Sequence, residues 1–539
     1  MTTLTPQYLG EEIQLSLEDF ARVVYQGSGV ALSEPTVERL QETRNLIDIL
    51  LEQKVKVYGL TTGFANLRNR TIPPEKASEL SENLIRSHDA GIGPCMPKEV
   101  IRGAMLLRIN SLAKGHSGFS LEALQTLVQM LNADIIPDIP ATGSLGASGD
   151  LATLARLGRA MMGDPVMVTN GETRCLAADA LKKHGIAPFR PLAKEGLALT
   201  NGTSFMASML AHAYMQEIHH IETMLSLQAL FLNSVQALDA AFSESIHHVR
   251  NQKGQSQVAG ILAKFLHNSP FVDSKKVQDD YCIRCLPQIF GPKIELILSQ
   301  RDVICNELDA VTDNPLIFKN GEILDSIAAR YQIQVGDDKW AILSGGNFHG
   351  ENLATSADVL CMANAKLALT LERQITYVLN PDRNGHVLPT YLICNEQQQG
   401  LLSGFMIPQY TANALAQKIC QLASPVSAFN ITSANESEDV VSYGASAGQK
   451  LLEQLELFRQ LLAVYGTVMM QAYSIARLKF PSVSADLPCE QLFHILKENS
   501  EIKFPIETDT AFEYYFNIDK ALNRLDTHRF VSLLGDKTN

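Results

Sequence analysis

The chain has 539 residues, 46% of them hydrophobic, which is enough to bury a large core and to form more than one domain. Its 45 basic and 58 acidic side chains give a formal net charge of −13, which disfavours nucleic acid or an anionic membrane as a partner. No apolar run reaches the roughly 18 residues that span a membrane, no basic and apolar leader opens the chain, and the nine scattered cysteines are typical of reduced thiols, so we expect a soluble, cytoplasmic protein.

A small, glycine-rich segment, GSLGASGD, occupies residues 143–150 and is followed by a helix-like run. Ser148 or Asp150 would suit the cap of that helix, because both side chains accept hydrogen bonds from the free N–H groups of a first turn. Capping does not explain three glycines spaced three residues apart. A phosphate-binding loop and a nucleophile elbow fit less well, because each of those motifs needs a residue that this segment lacks.

The same segment has the composition that a backbone cyclisation requires. The N–H of Gly149 must reach the carbonyl carbon of Ala147, and small residues with a glycine permit so tight a turn. The Ser148 hydroxyl can then leave as water, which would produce an electrophilic ring with an exocyclic methylene. Composition alone leaves the helix cap, the anion site and the cyclised segment open as alternatives.

Strand signals are few, and helical signals dominate the rest of the chain. Hairpins are predicted at 164–176 and 315–324, where Asn-Gly lies between apolar runs, and a further ribbon is predicted at 330–347. Long runs with helical spacing and almost no Gly or Pro cover residues 203–248, 351–379 and 446–465. Such runs are typical of a bundle of long helices, and the apolar segment 461–476 is predicted to be a buried helix.

The fold class predicted from these signals is mainly α, with a long-helix core and a mixed N-terminal domain that carries the glycine-rich segment. Prolines and polar residues break the helical pattern near residue 480. We therefore predict three domains, a mixed N-terminal domain at 1–204, a central long-helix bundle at 205–480 and a C-terminal helical tail at 481–539. Broad apolar faces on long helices also favour an oligomer.

The segment GSLGASGDLATLA resembles the signature of the aromatic amino acid ammonia-lyases, a family of histidine, phenylalanine and tyrosine ammonia-lyases and related aminomutases. Seven further blocks resemble blocks of that family in the family's order: VYGLTTGFANL (57–67), NLIRSHDAGIG (83–93), KEGLALTNGTS (194–204), QDDYCIRCLPQIFGP (278–292), NELDAVTDNPLIF (306–318), SGGNFHGEN (344–352) and TSANESEDVVSYG (432–444). The resemblance implies the superhelical, fumarase- and aspartase-like fold. It also implies that Ala147, Ser148 and Gly149 cyclise to 4-methylidene-imidazol-5-one (MIO), with no external cofactor.

The matched blocks imply roles for side chains around one site. The resemblance assigns the removal of the substrate's β-proton to Tyr58, and it places Tyr281 beside the prosthetic ring. Asn201 matches a residue that contacts both the ring and the substrate, and Phe348 matches the aromatic residue near them. Without their blocks, Tyr58 would be interpreted as a packed core residue and Asn201 as part of a plain Asn-Gly turn.

Two further matches concern the polar end of the substrate. Arg284 matches the residue that holds the substrate carboxylate, a task for which the guanidinium fork is suited. Gln278 matches a further polar residue of the site. On a helix, residues 278, 281 and 284 would share one face, although an ordinary amphipathic helix would show the same pattern.

Two positions bear on the choice among aromatic substrates. His88, in the family's substrate-sorting position, can hydrogen-bond an imidazole or a phenol. Glu438, in a Glu-Asp pair, matches histidine ammonia-lyases, whereas phenylalanine and tyrosine enzymes usually carry Gln-Asp. A carboxylate can meet an imidazole N–H or transfer a proton, but a phenyl group would leave it unpaired. The segment is one residue longer than the histidine-lyase form, so Glu436 is the alternative to Glu438.

The resemblance therefore predicts a lyase that converts L-histidine to urocanate and ammonia, in a homotetramer whose active sites each draw on more than one subunit. A tyrosine or phenylalanine ammonia-lyase, an aminomutase and an inactive helical scaffold are the alternatives. No metal is expected, because histidines such as His212 and His219 lack a convincing third ligand. The helix after the triplet departs from the family, which usually has Pro and His where this chain has Thr153 and Arg156.

Overall fold

Helices make up most of the structure, a computed structural model that describes residues 5–10, 13–272, 275–480, 482–509 and 513–534. The mainly helical fold class is thereby confirmed. The helices are α1 (Leu17–Tyr25), α2 (Glu34–Glu52), α3 (Ala77–His88), α4 (Lys98–Ala113), α5 (Leu121–Asn132), α6 (Leu151–Met161), α7 (Ala177–Lys183), α8 (Glu195–Thr200), α9 (Ser204–Ser234), α10 (Glu244–Arg250), α11 (Lys253–Leu266), α12 (Tyr281–Arg284), α13 (Leu286–Leu308), α14 (Glu351–Leu379), α15 (Pro381–Asn384), α16 (Met406–Gln421), α17 (Gly444–Arg477), α18 (Pro488–Ser500) and α19 (Tyr514–Asn523). The strands are β1 (Gln7–Leu9), β2 (Val30–Leu32), β3 (Ile92–Cys95), β4 (Ile135–Pro137), β5 (Pro140–Thr142), β6 (Met167–Asn170), β7 (Thr173–Leu176), β8 (Leu316–Lys319), β9 (Gln332–Val335) and β10 (Asp338–Leu343).

The chain folds into two compact units. Unit 1 comprises Met1–His212, Asp302–Ala357 and Val426–Gln449. Unit 2 comprises Ala213–Arg301, Asp358–Pro425 and Lys450–Asn539. Helices α9, α13, α14 and α17 contribute residues to both units. The division into domains at residues 204 and 480 stays a prediction.

All described strands lie in unit 1 and form small sheets. β6 and β7 form the antiparallel hairpin predicted at 164–176, and β4 pairs with β6. β9 and β10 form the ribbon predicted at 330–347. β1 pairs with β2 in parallel, and β3 pairs with β5, the strand that leads into the glycine-rich segment. The pairing of β3 with β5 brings two chain segments together just before the triplet Ala147-Ser148-Gly149.

The hairpin predicted at 315–324 is wrong. β8 pairs with β10 in antiparallel register, and Asn320–Glu322 forms a 3-10 turn instead of a return strand. A long-range ion pair holds this turn, since Arg39 Nη2 donates to Glu322 Oε2 at 2.7 Å. The same carboxylate accepts the N–H of Lys319, which holds the chain in a turn directly after β8.

An apolar cluster of unit 1 includes side chains of α2, β8 and β10. Its buried members are Leu46, Ile47, Leu50, Val57, Leu60, Ala77, Ala193, Ile317 and Trp340. Full burial of one such large side chain stabilises a fold by roughly 1.5–3 kcal/mol. Val57 and Leu60 belong to the segment after α2, and their burial on either side of Tyr58 fixes the backbone of that residue.

Helix α9 is shorter than the uninterrupted run at 203–248 predicts. It ends at Ser234, and Gln236 then takes a positive φ of 53°. The N–H of Ala237 donates to the carbonyl of Leu232, the bond of a helix ending that usually has glycine at the left-handed position. Because glutamine takes this place, the sequence contains no glycine that would mark the end.

The other two long runs are helical as predicted. α14 covers residues 351–379, and α17 covers 446–465 and continues to Arg477. Residues 461–476 lie within α17 and are all buried, which confirms the prediction of a buried helix. Across the part of the chain that the structure describes, no helix is both long enough and apolar enough to cross a membrane.

A closed ring of hydrogen bonds joins three helices inside unit 2. The Tyr465 hydroxyl donates to Gln374 Oε1 at 2.7 Å, Gln374 Nε2 donates to Gln228 Oε1 at 2.9 Å, and Gln228 Nε2 donates to the Tyr465 hydroxyl at 3.0 Å. All three side chains are fully buried. Because buried polar groups need their partners, the ring specifies how α9, α14 and α17 align.

A second polar contact in this bundle predicts a pH-dependent stability. Glu217 is fully buried, burial raises its pKa to about 8, and Asn364 Nδ2 donates to its Oε2 at 2.9 Å. The folded-state pKa lies above the unfolded value of 4.5, so the contribution of this group is full below that value and is lost as the pH rises through about 8. Glu217→Gln cannot ionise, so this variant should lose less stability than the wild type as the pH rises.

Thermal unfolding at about pH 6 and about pH 9 measures this difference, which should be on the order of 2–3 kcal/mol in favour of Glu217→Gln at the higher pH. Glu453→Gln, an exposed change on α17, is the control and should follow the wild type. The same dependence on pH in the wild type and in Glu217→Gln would contradict the assignment.

Candidate active site

A cavity of about 580 Å³ opens in unit 1. Seven of the predicted site residues line it, namely Tyr58, His88, Ala147, Ser148, Asn201, Phe348 and Glu438. These seven residues come from six of the blocks that carry the family resemblance, and Asn314 of the block 306–318 also lines the cavity. Gly149, Gln278, Tyr281 and Arg284 are not among the lining residues.

The triplet lies between β5 and α6, and its backbone is packed against Gly202. Gly149 has a φ of +76°, and a Cβ built on it would lie 2.2 Å from the carbonyl oxygen of Gly202. The N–H of Asp150 donates to that same oxygen at 2.7 Å. Only a residue without a side chain fits both the positive φ and the close approach, which explains why position 149 is a glycine.

Gly149→Ala is therefore expected to be far more damaging than Gly171→Ala. Both glycines have a positive φ, where alanine costs about 1–2 kcal/mol, but nothing lies within 4 Å of a Cβ at Gly171. At position 149 the new methyl group must also displace the backbone of Gly202. Thermal unfolding should show a small loss for Gly171→Ala and a much larger loss, or no folded protein, for Gly149→Ala. Equal losses would contradict this explanation.

Asp150 precedes α6, but its carboxylate does not cap that helix. Oδ2 accepts the N–H groups of Phe205 at 2.8 Å and Met206 at 3.0 Å, which belong to the first turn of α9. The helix-cap interpretation of Ser148 and Asp150 is therefore wrong, because Asp150 caps a different helix and Ser148 lines the cavity. Burial raises the pKa of Asp150 to about 7, although its hydrogen bonds act in the opposite direction.

Asn201 holds the triplet through its side chain. Its Nδ2 donates to the carbonyl oxygen of Ser148 at 2.8 Å, and its own carbonyl accepts from Arg108 Nη1 at 3.0 Å. Arg108 is fully buried in α4, and burial lowers its pKa to about 10 against the effect of Asp313 and Asp150. The sequence analysis missed Arg108, for which the available signal was an arginine inside the apolar stretch AMLLRI (104–109) of α4.

Glu438 contacts the triplet at the serine hydroxyl. Its Oε1 accepts from Ser148 Oγ at 2.7 Å, and its Oε2 accepts from Ser433 Oγ at 2.5 Å. Backbone hydrogen bonds between Ser433 and Glu438 close the loop that carries this carboxylate. Glu436 is exposed and does not line the cavity. Of the two glutamates that the sequence left open, Glu438 is the one that contacts Ser148.

Tyr58 lies on the cavity wall beside an unusual stretch of backbone. Ala65 has a positive φ of 45° and donates its N–H to the Tyr58 hydroxyl oxygen at 3.2 Å. Arg68 Nη1 donates to the carbonyl of Ala65 at 3.2 Å and also lines the cavity, a residue that the sequence analysis missed. An N–H in this place would stabilise a negative charge on the phenol oxygen.

His88 ends α3 and is half-buried. Burial lowers its pKa, while the carbonyl of Leu84 and the Glu438 carboxylate act in the opposite direction. Ser87 Oγ lies 3.0 Å from His88 Nδ1 and donates to the Leu84 carbonyl oxygen at 3.2 Å. When the Ser87 hydroxyl donates to Leu84, the ring proton of His88 lies on Nδ1 and Nε2 is an acceptor.

Comparison with known proteins places this site in a family. The family model described as aromatic amino acid lyase matches residues 15–496, and the histidine ammonia-lyase of Natranaerobius thermophilus is 36% identical over 501 residues, 92% of this chain and 94% of that relative. The chain belongs to the aromatic amino acid lyase family. The solved structure of the Trypanosoma cruzi histidine ammonia-lyase matches with a TM-score of 0.82 at 30% identity, covering 99% and 98% of the two chains. The tyrosine aminomutase of Streptomyces globisporus matches with a TM-score of 0.85 at 27% identity, covering 98% of each chain.

Membership of the aromatic amino acid lyase family confirms the resemblance and, with it, the prediction of a carbon–nitrogen lyase. Gln278, Tyr281 and Arg284, to which the resemblance gives site roles, lie in unit 2. The prediction that residues 278, 281 and 284 share a helical face is wrong for Gln278, because α12 begins only at Tyr281, after Asp280 in the cap position. Tyr281 is 68% exposed, and the Arg284 guanidinium stacks 4.7 Å above the centre of its ring.

The helix after the triplet carries two departures from the lyase family. Thr153 is buried, and its Oγ1 donates to the carbonyl of Asp150 at 3.0 Å within the first turn of α6. Arg156 reaches away from the helix to the carboxylate of Asp89. Neither side chain lines the cavity.

Proposed function

We propose that this protein is a histidine ammonia-lyase, which converts L-histidine to urocanate and ammonia. The observation that carries the proposal is the place of Glu438, whose carboxylate lines the cavity 2.7 Å from Ser148 Oγ. Ser433 donates to one oxygen of this carboxylate, and the other oxygen loses its Ser148 partner when that hydroxyl leaves as water. An imidazole N–H can then donate to that oxygen, whereas a phenyl group would leave it without a partner. The names of the Natranaerobius and Trypanosoma relatives support the same substrate.

The number of acceptors in the cavity also favours histidine. With its ring proton on Nδ1, His88 offers Nε2 as an acceptor beside the Glu438 carboxylate, and both residues line the cavity. A protonated imidazole offers two N–H donors and a neutral one offers one, whereas a phenol offers one O–H and a phenyl ring offers none. Histidine with a protonated ring therefore leaves the fewest of these acceptors unpaired.

We further propose that Ala147, Ser148 and Gly149 form MIO, with no external cofactor and no metal. The residues fit this group, because the triplet is small, Gly149 has no room for a side chain, and Asn201 holds the Ser148 carbonyl oxygen. When formed, MIO supplies an electrophilic methylene that captures the substrate. The positions of the surrounding side chains then decide which substrate is oriented and where its protons go.

The other residues of the site bind the substrate and move its protons. Tyr58 removes the β-proton, and the N–H of Ala65 stabilises the charge that develops on its oxygen. Phe348 supplies an apolar wall that excludes water from the substrate. Arg284 holds the substrate carboxylate through its guanidinium fork, and Gln278 adds a polar contact.

We infer a cytoplasmic homotetramer whose active sites combine residues of different copies. Gln278, Tyr281 and Arg284 do not line the cavity, and Tyr281 is largely exposed. A second copy of the chain would bring its Arg284 and Tyr281 to the cavity of the first. This arrangement explains why the described cavity lacks the residues that the resemblance assigns to the substrate carboxylate.

Product analysis tests the proposed function. Purified protein is incubated separately with L-histidine, L-tyrosine and L-phenylalanine, and the ultraviolet band of each conjugated product is followed. We expect urocanate from histidine. Coumarate or cinnamate without urocanate would overturn the substrate, recovery of a β-amino acid would identify an aminomutase, and an unprocessed mass without any product would identify an inactive scaffold.

A further inference from the structure

The partner of Arg156 lies next to the substrate-sorting residue. Arg156 Nη1 donates to Asp89 Oδ2 at 3.0 Å, and Arg159 Nη1 from the same helix donates to the same oxygen at 2.6 Å. The Asp89 side chain is only 3% exposed. Asp89 directly follows His88 in the chain, so two cations of α6 hold the residue at the end of α3.

The backbone of Asp89 is held as firmly as its side chain. Asp89 has φ −75° and ψ 77°, and the N–H of Ala90 donates to the His88 carbonyl at 2.9 Å. These angles and this bond define an inverse γ-turn that ends α3. The side chain of Asp89 therefore fixes a turn whose first residue is His88.

Further contacts tie the same part of α3 to α6 and to the chain before the triplet. Asp164 accepts from Arg86 Nε of α3 at 3.3 Å and from Arg159 Nε of α6 at 3.1 Å. Beyond the turn, a Cβ on Gly143 would lie 2.9 Å from the Cα of Gly91, so these two backbones are in contact. The end of α3 is thus connected to the helix after the triplet and, through Gly91, to Gly143 at the start of the glycine-rich segment.

We propose that Asp89 is a positioning residue, which uses Arg156 and Arg159 to hold His88 at a set place relative to Ser148. A buried carboxylate that keeps two charged partners resists displacement, because separating it from them leaves charge unpaired in a poorly hydrated place. Orientation within a site matters steeply, since a displacement of about 1 Å can lower a rate by about 100-fold. The proposal rests on the proposed function, in which His88 receives the substrate ring.

Steady-state kinetics on the full-length protein test the proposal. We expect Asp89→Asn to lower kcat/KM for histidine by about 10- to 100-fold, with most of the change in KM. Arg156→Gln should have a smaller effect because Arg159 remains, and Arg156→Lys should restore part of the loss. Arg22→Gln removes an arginine from the exposed pair with Asp19 and should leave both constants unchanged.

Chemical labelling of His88 provides a second measurement that needs no activity. The protein is treated with diethyl pyrocarbonate, and modification of each histidine is followed by peptide mass mapping. We expect faster modification of His88 in Asp89→Asn and in Arg156→Gln, with an unchanged rate at His349, which lines the same cavity.

The two measurements separate this proposal from the proposed function. A wild type that makes no urocanate would refute the function, while the labelling rates would still decide the role of Asp89. Unchanged labelling of His88 in both variants would overturn the positioning role. If the wild type converts histidine, a KM in Asp89→Asn and Arg156→Gln equal to that of the wild type would also overturn it. If Asp89→Asn fails to fold, the kinetics and the labelling of Arg156→Gln alone still decide the question.

Discussion

Replacing Ser148 with alanine is expected to lower turnover by about 1,000-fold or more while the chain still folds. The change removes the hydroxyl whose loss as water creates the electrophile, so the site keeps its shape and loses its covalent chemistry. Ser148 Oγ makes a hydrogen bond only to Glu438 among the contacts described, and a methyl group adds no volume. Intact mass and turnover of histidine measure the effect together.

Ser256→Ala is the control, because it removes an exposed hydroxyl on α11. The wild type and Ser256→Ala should both weigh less than their sequences by the mass of two water molecules, and Ser148→Ala should have its unprocessed mass. Full activity in Ser148→Ala, or a wild type without the mass loss, would show that the triplet does not form the electrophile.

Replacing Glu438 with glutamine has the second-largest expected effect. The change keeps the shape of the side chain but removes the charge that faces the substrate imidazole, and it leaves an amide unable to take a proton. We expect kcat/KM for histidine to fall by about 100- to 1,000-fold, which is the usual contribution of a positioned acid–base group. Activity toward phenylalanine, which offers Glu438 no N–H, should fall much less. Kinetics with both substrates measure the two changes.

Glu436→Gln is the matched control, since it makes the same chemical change two residues away on an exposed side chain. It should leave the kinetics for histidine close to those of the wild type. If Glu436→Gln lost activity and Glu438→Gln kept it, the carboxylate of the site would be Glu436, and the alignment of this segment would have to shift by two residues.

The long helices were predictable where local pattern decides the structure. Residues 351–379 form α14 over the whole predicted range, because their helical spacing meets no competing signal. The end of α9 was not predictable, because Gln236 takes the left-handed position that glycine usually occupies after the end of a helix. The turn that takes the place of the return strand after β8 is held by Arg39, which is far away in the sequence.

Some residues of the candidate site could likewise be predicted from the sequence, and others could not. The triplet and its neighbours were recognisable because GSLGASGDLATLA resembles the family signature, whereas composition alone left three interpretations open. The place of Asp150 was not, because its carboxylate caps a helix that begins more than fifty residues later. Arg108 and Arg68 belong to no motif that the sequence analysis used, and only the folded chain brings them to the site.

The ratio of kcat/KM values for L-histidine, L-tyrosine and L-phenylalanine, measured on one preparation of the full-length protein, tests whether histidine is the substrate. We expect histidine to be preferred by about 100-fold or more, since each unpaired acceptor left in the site costs on the order of 1–3 kcal/mol. A preference for tyrosine or phenylalanine would contradict it.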